Sequence, residues 1–457
     1  MVLFILGMDK IELFEKASPA KALAVMAAPT IASQLLVLAY NLADTWFLGR
    51  TNNPYMIAAS SLTAAIYFVV VALSNIFGVG GGSLMVRLVG EKETKIAGDV
   101  ASYSIFTCAV STLVFSLGVL LFMNPLLKMI GASENTFLYA KQYIFTTTVL
   151  GGIPTSLSMC MPQFLRNSGY SKEAGIGVGL GSILNIALDP LFMFVLLPAG
   201  YEVLGAGLAT MLSNFVSLSY FVLMFRKVKN DTVLTLPTKP VKIDGRYLKS
   251  LYSVGIPAAV AIFLYDLVTM VLNKLSTSYG DIVLAAMGIV LKLERIPISI
   301  GLGICLGMVP LIAYNYGAKN YDRMKKISSL SLVCVLAFSC MCTALFWFFP
   351  EPVFSFFIAD ETTIGQGVAI LKGRCFALPF MMIGYLVVNF MNAVDKGKMS
   401  FLLAIIRHLI LIIPMAILMN SIFGLAGLIW SQPIADVLNT VVSIILLFTV
   451  VKNTQND

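Results

Sequence analysis

An all-α polytopic membrane protein, with twelve transmembrane helices in two six-helix bundles related by a parallel pseudo-two-fold repeat, is what this sequence predicts. Three observations carry that prediction. The 457-residue chain is 58% hydrophobic and only 12% charged, against roughly 25% charge in an average soluble domain. Apolar runs of about 20 residues, the length needed to cross a bilayer, recur along its whole length. The two halves also match each other at a nearly constant offset.

The apolar runs fall near 22–49, 56–86, 98–122, 138–165, 172–197, 203–225, 250–278, 282–316, 327–349, 366–393, 399–419 and 423–450, here called spans 1 to 12. Several exceed one bilayer thickness and imply tilt or protrusion. A polar, basic segment at 226–249, with Pro237 and Pro240, divides the chain. The predicted layout is a cytoplasmic lead-in at 1–21, an N-lobe at 22–225, that linker, a C-lobe at 250–450 and a tail at 451–457.

Lys and Arg orient the spans. With the N-terminus inside, 22 basic residues lie in cytoplasmic connections and six outside: Arg50, Lys128, Lys141, Lys274, Lys372 and Arg374. Lys292, Arg295 and Arg407 fall within spans. The positive-inside rule then puts both termini in the cytoplasm of a multi-pass cell-membrane protein. The formal charge of +8 is read as this topology, not as a nucleic-acid surface.

The repeat is visible residue by residue. Pro29 pairs with Pro257, Ala58 and Ala59 with Ala285 and Ala286, Gly80 with Gly307, and Gly90 with Gly317, at offsets of 227 or 228. Pro154 faces Pro379 and Asn167 faces Asn392, and Ala206-Gly207-Leu208 meets Ala426-Gly427-Leu428. An even number of spans per half keeps the same entry side, so the repeats are parallel.

Other classes are excluded by what is missing. The seven cysteines lie in apolar stretches without ligand spacing and read as small hydrophobes, and the single His408 gives no zinc or catalytic set. The start, Met1 to Gly7, is too short for a signal-peptide core, and Met8 is an alternative start. The glycines at 78, 80, 81 and 82, and at 301, 303 and 307, precede no GxxxxGK[ST] and read as close helix contacts. No enzyme class is expected.

Chemistry is carried by acids. Asp44 and Asp189 sit inside apolar spans, where a carboxylate costs about 2.5–3.5 kcal/mol or more, so a functional role is the default reading. Neither has an acid at its repeat-related position. Tyr40 and Asn41 share a helix face with Asp44, Asn185 lies one turn before Asp189, and span 6 supplies Thr210 and Asn214. Pro190 cannot donate a backbone bond and frees a carbonyl one turn earlier. Carboxylate, amide, hydroxyl and carbonyl oxygens suit a small cation, Na⁺ or H⁺, and no other metal or cofactor is expected.

The second half has Asp266, Lys292, Glu294, Arg295 and Arg407 within spans. Lys292 and Arg295 share a face, and Glu294 is expected to neutralise one of them. Asp266, Glu294 and Arg407 are the candidate C-lobe contacts.

The whole chain resembles the MATE (multidrug and toxic compound extrusion) family of cation-coupled antiporters. The resemblance rests on Pro29 followed by Tyr40-Asn41-Leu42-Ala43-Asp44, on Phe77 through Ser83 leading to Arg87 and Gly90, and on Asn185 through Asp189-Pro190. Pro310, Tyr314-Asn315, Lys319, Arg323, Arg407 and Pro414 complete it. It implies that Asp44, Asn185, Asp189 and Thr210 bind Na⁺ or H⁺ in the N-lobe and that span 1 bends near Pro29 to expel substrate. Span 10 lacks the acid that some branches of the family carry.

The expected function is therefore a secondary antiporter that exports amphipathic, often cationic, organic compounds against Na⁺ or H⁺. The alternative is a MOP-type flippase for lipid-linked intermediates, which needs a strongly basic cavity, with Lys292, Arg295 and Arg407 as the only candidates. Expected partners are small amphipathic molecules and the lipid bilayer, without nucleic acid. One chain supplies both lobes, which favours a monomer.

Overall fold

The computed structural model describes residues 10–51, 53–237, 239–356 and 360–454. Residues 1–9, with the Met8 alternative start, and 455–457 of the tail lie outside that set. Nine of the described helices are long and apolar enough to cross a bilayer. Two bent pairs, Glu134–Leu150 with Gly152–Asn167 (52°) and Glu361–Cys375 with Ala377–Ala393 (46°), bring the number to eleven. The twelfth emerges from the 54-residue Gly397–Val450, which is interrupted where Gly424 adopts φ 59° and ψ −140°. Only glycine reaches such a conformation without a Cβ clash, so spans 11 and 12 separate there.

The repeat extends to irregularities. The bent pairs are spans 4 and 10, which are repeat mates. The short helices Met123–Met129 and Pro350–Ser355 follow spans 3 and 9 and begin 227 residues apart. The second of these is followed by span 10, whose cap is Asp360. Its carboxylate accepts from the Thr363 amide at 2.8 Å and the Thr363 hydroxyl at 2.6 Å. Those bonds, the hydroxyl's first, hold the Asp360 carboxyl below the usual range.

The chain forms two compact units. Unit 1 contains Ala32–Ala259 with the described residues up to Lys16, and unit 2 contains Ala17–Ile31 with the chain from Val260 onward. Two 32-residue helices, Pro19–Arg50 and Gly245–Ser276, each change unit two residues after an internal proline, Pro29 and Pro257. The lead-in forms a short helix, Lys10–Glu15, that buries Leu13 and Phe14.

Glycine sets how closely helices meet in each unit. In unit 1 a Cβ on Gly255 would lie 2.2 Å from the Ile76 carbonyl, and one on Gly80 would lie 2.4 Å from that of Leu251. In unit 2 a Cβ on Gly303 would lie 2.7 Å from the Ile31 Cα, and one on Gly307 would lie 2.6 Å from the Ala27 Cα. The glycine runs are thus close helix contacts, as expected. Five of the seven cysteines are buried like core hydrophobes, but Cys340 is exposed and Cys334 half-exposed.

Most spans bury between 22% and 39% of their apolar window, leaving the remainder for lipid. Span 8, Ile282–Gly317, buries 72% and is the central helix of unit 2. Gly255→Val should lose about 1–3 kcal/mol, because the obstructing atom is backbone and cannot rotate away. A thermal melt in detergent checks this. Gly49→Ala, with nothing within 4 Å of the added Cβ, should melt as wild type.

Candidate functional site

Unit 1 assembles its polar side chains from spans 1, 4, 5 and 6. Span 5, Ser171–Pro190, places Asn185 and Asp189 one turn apart on its buried face. Asp189 is 0% exposed and Asn185 2%. Pro190 ends the regular helix, and the chain continues as a π-helical segment, Leu191–Leu196. Span 6, Glu202–Val228, contributes Thr210, whose hydroxyl accepts from the Asn185 amide at 3.3 Å. The amide nitrogen is thereby turned to Thr210, which leaves Asn185 Oδ1 free to face a cation.

Asn214 braces this arrangement. Its amide donates to the Thr210 carbonyl at 3.0 Å and to the Thr155 hydroxyl at 3.2 Å, while Ser158 donates to its Oδ1 at 3.0 Å. Span 4 is therefore tied to span 6 beside the site. Asp44 stands on Pro19–Arg50, and its charge acts on Asp189 and on the phenols of Tyr40, Tyr67 and Tyr143. Asn41 takes another course: it is exposed, and its amide donates to the Val37 carbonyl of its own helix at 2.8 Å.

The oxygens are left over. Asp44 Oδ1, Asn185 Oδ1 and both carboxylate oxygens of Asp189 are buried and accept no hydrogen bond. Neither acid joins an ion pair among the described residues. Buried polar atoms are nearly always satisfied, so each of these four oxygens calls for a donor or a positive partner. Hard oxygen donors fit Na⁺ or a proton. No cluster of three His, Cys, Asp or Glu that could hold a metal ion occurs among the described residues.

Unit 2 is built differently. From sequence, Glu294 is expected to neutralise Lys292 or Arg295, yet it pairs with Arg374 through two bonds of 2.8 and 2.9 Å. Arg374 is not a connection residue as its position suggested. It is 1% exposed, and it also donates to Gln432. Arg374 lies at the end of Glu361–Cys375, just before the bend in span 10, whereas Arg295 lies over the Tyr265 ring at 5.6 Å. Arg407 pairs with Asp436 at 2.8 Å. Asp266 is exposed and makes no hydrogen bond or ion pair among the described residues.

Asp436 is the residue that sequence reasoning missed. It meets the criterion that singled out Asp44 and Asp189, an acid inside a helix-length apolar run, and it is 0% exposed. Tyr67, Tyr143, Thr155 and Ser158 carried no comparable signal.

The MatE family model matches this chain twice, over residues 29–191 and 257–418. The chain belongs to the MatE family. As a MATE chain it is a multi-pass membrane transporter and not an enzyme. The double match starts at Pro29 and at Pro257, so each half is one copy of the family's repeat. It is 30% identical over 442 residues to the multidrug export protein MepA of Staphylococcus aureus strain NCTC 8325, covering 96% of both chains. Against MepA of Staphylococcus haemolyticus it is 31% identical over 440 residues, covering 96% of this chain and 94% of the relative.

Solved structures share the MATE fold at lower identity. A MATE structure in the straight conformation matches with TM-score 0.91 and 21% identity, over 98% of this chain and 100% of that one. An outward-facing multidrug resistance MATE transporter of the MOP superfamily matches with TM-score 0.88 and 21% identity, over 98% and 99%. Arg374→Ala would strand Glu294 as a buried charge and should lose about 3–5 kcal/mol. Arg374→Met with Glu294→Met should recover most of that in a thermal melt, since no charge is then left uncompensated.

Proposed function

We propose that this MATE transporter exports amphipathic, often cationic, organic compounds in exchange for Na⁺ or H⁺ bound in unit 1. One observation carries the reading: the fully buried Asp189 carboxylate, one enclosed oxygen of the half-buried Asp44 and the Asn185 amide oxygen accept no hydrogen bond, beside a hydroxyl that receives the Asn185 amide. The relatives named as multidrug export proteins support the substrate class.

The physical logic is compensation. With a cation bound, Asp44 and Asp189 are neutralised at low cost. Without one, their charges repel each other in a medium that screens poorly. The two occupancies therefore favour different conformations of span 1, and a conformational equilibrium shifts only by such differential binding. Pro29, inside Pro19–Arg50, removes a backbone donor where that helix is to bend. The Asn214 brace holds Thr210 and span 4 in place, so the response falls on Asp44 and its helix.

The topology belongs to the same reading: a monomer in the cell membrane with both termini in the cytoplasm, as the basic connections favour. A flippase for lipid-linked anions is less favoured, because Arg407, one of its three candidate basic residues, is already neutralised by Asp436.

Reconstituted vesicles test the proposal. A cationic dye should leave them under an imposed Na⁺ or pH gradient with wild-type protein. Asp189→Asn and Asp44→Asn should reduce gradient-driven efflux to the level of protein-free vesicles while leaving dye binding measurable. Wild-type rates in both variants would refute the coupling role. Asn214→Ala should weaken the cation dependence without abolishing transport, read as a rightward shift of efflux rate against cation concentration.

A further inference from the structure

Spans 5 and 6, which carry Asn185, Asp189 and Thr210, have spans 11 and 12 as repeat mates. Spans 5 and 11 each carry a π-helical distortion near a proline, though not at matching positions. Span 5 passes through Pro190 into the π-helical Leu191–Leu196, and span 11 contains the π-helical Ile406–Ile412 ahead of Pro414. Such segments concentrate at functional positions. Unit 2 also buries a carboxylate on this pair of spans, Asp436 of span 12, which is 0% exposed, although it does not stand at the position matching Asp189.

Around it lie the same kinds of oxygen. Tyr385 presents its hydroxyl, and Asn439, on the same face as Asp436, has a buried Oδ1 that accepts no hydrogen bond. Gly384 makes room for that amide, since a Cβ there would lie 2.9 Å from Asn439 Nδ2. The difference from unit 1 is one guanidinium. Arg407 Nε donates to Asp436 Oδ1 at 2.8 Å and Nη2 to Oδ2 at 3.4 Å. Its Nη1 donates to the Tyr385 hydroxyl at 3.2 Å, and the guanidinium lies 4.9 Å from the Tyr385 ring centroid.

His408 does not compete for the acid. Its Nδ1 lies 2.9 Å from the Ala404 carbonyl, which places the proton there and leaves Nε2 to accept from Arg407 Nη1 at 3.3 Å. The ring is thus a neutral acceptor that helps to aim the arginine. Every donor group of Arg407 is directed at an acceptor within unit 2.

We propose that Arg407 is a built-in counter-cation, holding at Asp436 the place that an exchangeable Na⁺ or H⁺ holds at Asp44 and Asp189. Unit 2 then keeps a permanently compensated carboxylate, and the transporter has one exchangeable cation site instead of two. Removing the Arg407 charge unmasks a second small-cation site formed by Asp436, Tyr385 and Asn439. The comparison with unit 1 rests on the coupling role proposed above, but the unmasked site is testable without it.

The test counts bound cations on the purified full-length chain, as radioactive Na⁺ at alkaline pH and as proton uptake on acidification. Arg407→Met should bind one cation more than wild type by at least one of these probes. Arg407→Gln repeats the test if the methionine variant does not yield folded protein. The gain should vanish in Arg407→Lys, which keeps the charge, and in Arg407→Met with Asp436→Asn, which removes the acid and restores a neutral, foldable pair. Asp436→Asn alone should bind as wild type. The proposal is overturned if a folded, cooperatively melting Arg407→Met or Arg407→Gln gains nothing, or if Asp436→Asn alone loses a cation. Asp189→Asn separates the two readings: if it binds as many cations as wild type, the unit-1 coupling site fails while the Arg407 result stands independently.

Discussion

The organising constraint in this molecule is the cost of an uncompensated charge in a medium without water. Asp189 is fully buried, neither of its oxygens has a hydrogen-bond donor, and among the described residues no arginine or lysine pairs with it or with Asp44. Unit 2 meets the same constraint in the opposite way, giving Glu294 an arginine from span 10 and Asp436 one from span 11. Fixed pairs have no reason to respond to ions outside the protein. A pair of acids without a resident cation does.

The scaffold suits that division. Asn185 and Asp189 are one helical turn apart immediately before Pro190, so the backbone disturbance begins where the acid sits. Asn214, Thr155 and Ser158 bind one another across spans 4 and 6 and keep the hydroxyl of Thr210 near Asn185. Close glycine contacts, Gly80 and Gly255 in unit 1 and Gly303 and Gly307 in unit 2, hold the stretches around the prolines of the two proline-containing helices. Beyond the prolines those helices belong to the other unit. Each is therefore held firmly at one end and broken by a residue that cannot complete its backbone bonding.

Much of this was legible in the chain because the bilayer leaves few alternatives. Apolar runs of the right length must be helices, since no other segment with lipid around it can satisfy its own backbone. The repeat was legible because Pro29, Gly80 and Gly90 recur at offsets of 227 or 228, and the family model matches both copies. Asn185, Asp189 and Thr210 come together because i, i+4 spacing fixes the first two and the antiparallel neighbour brings the third. Partner choice among charges was not legible. Glu294 lies next to Arg295 in sequence, but adjacent helix positions point in different directions, and the acid reaches Arg374 of another span instead.

By itself the sequence determined the class of molecule, the twelve spans, their division into two related halves and, in the first half, the two acids Asp44 and Asp189 that lipid makes too costly to be incidental. Those properties depend on local length, period and composition. Only the tertiary structure decided which buried charges are already neutralised. That depends on side chains far apart in sequence: Arg374 with Glu294 across 80 positions and Arg407 with Asp436 across 29. Arg374 sits beside the bend of span 10 and Arg407 within the π-helical turn of span 11, and the spacing of the residues that meet encodes neither pairing.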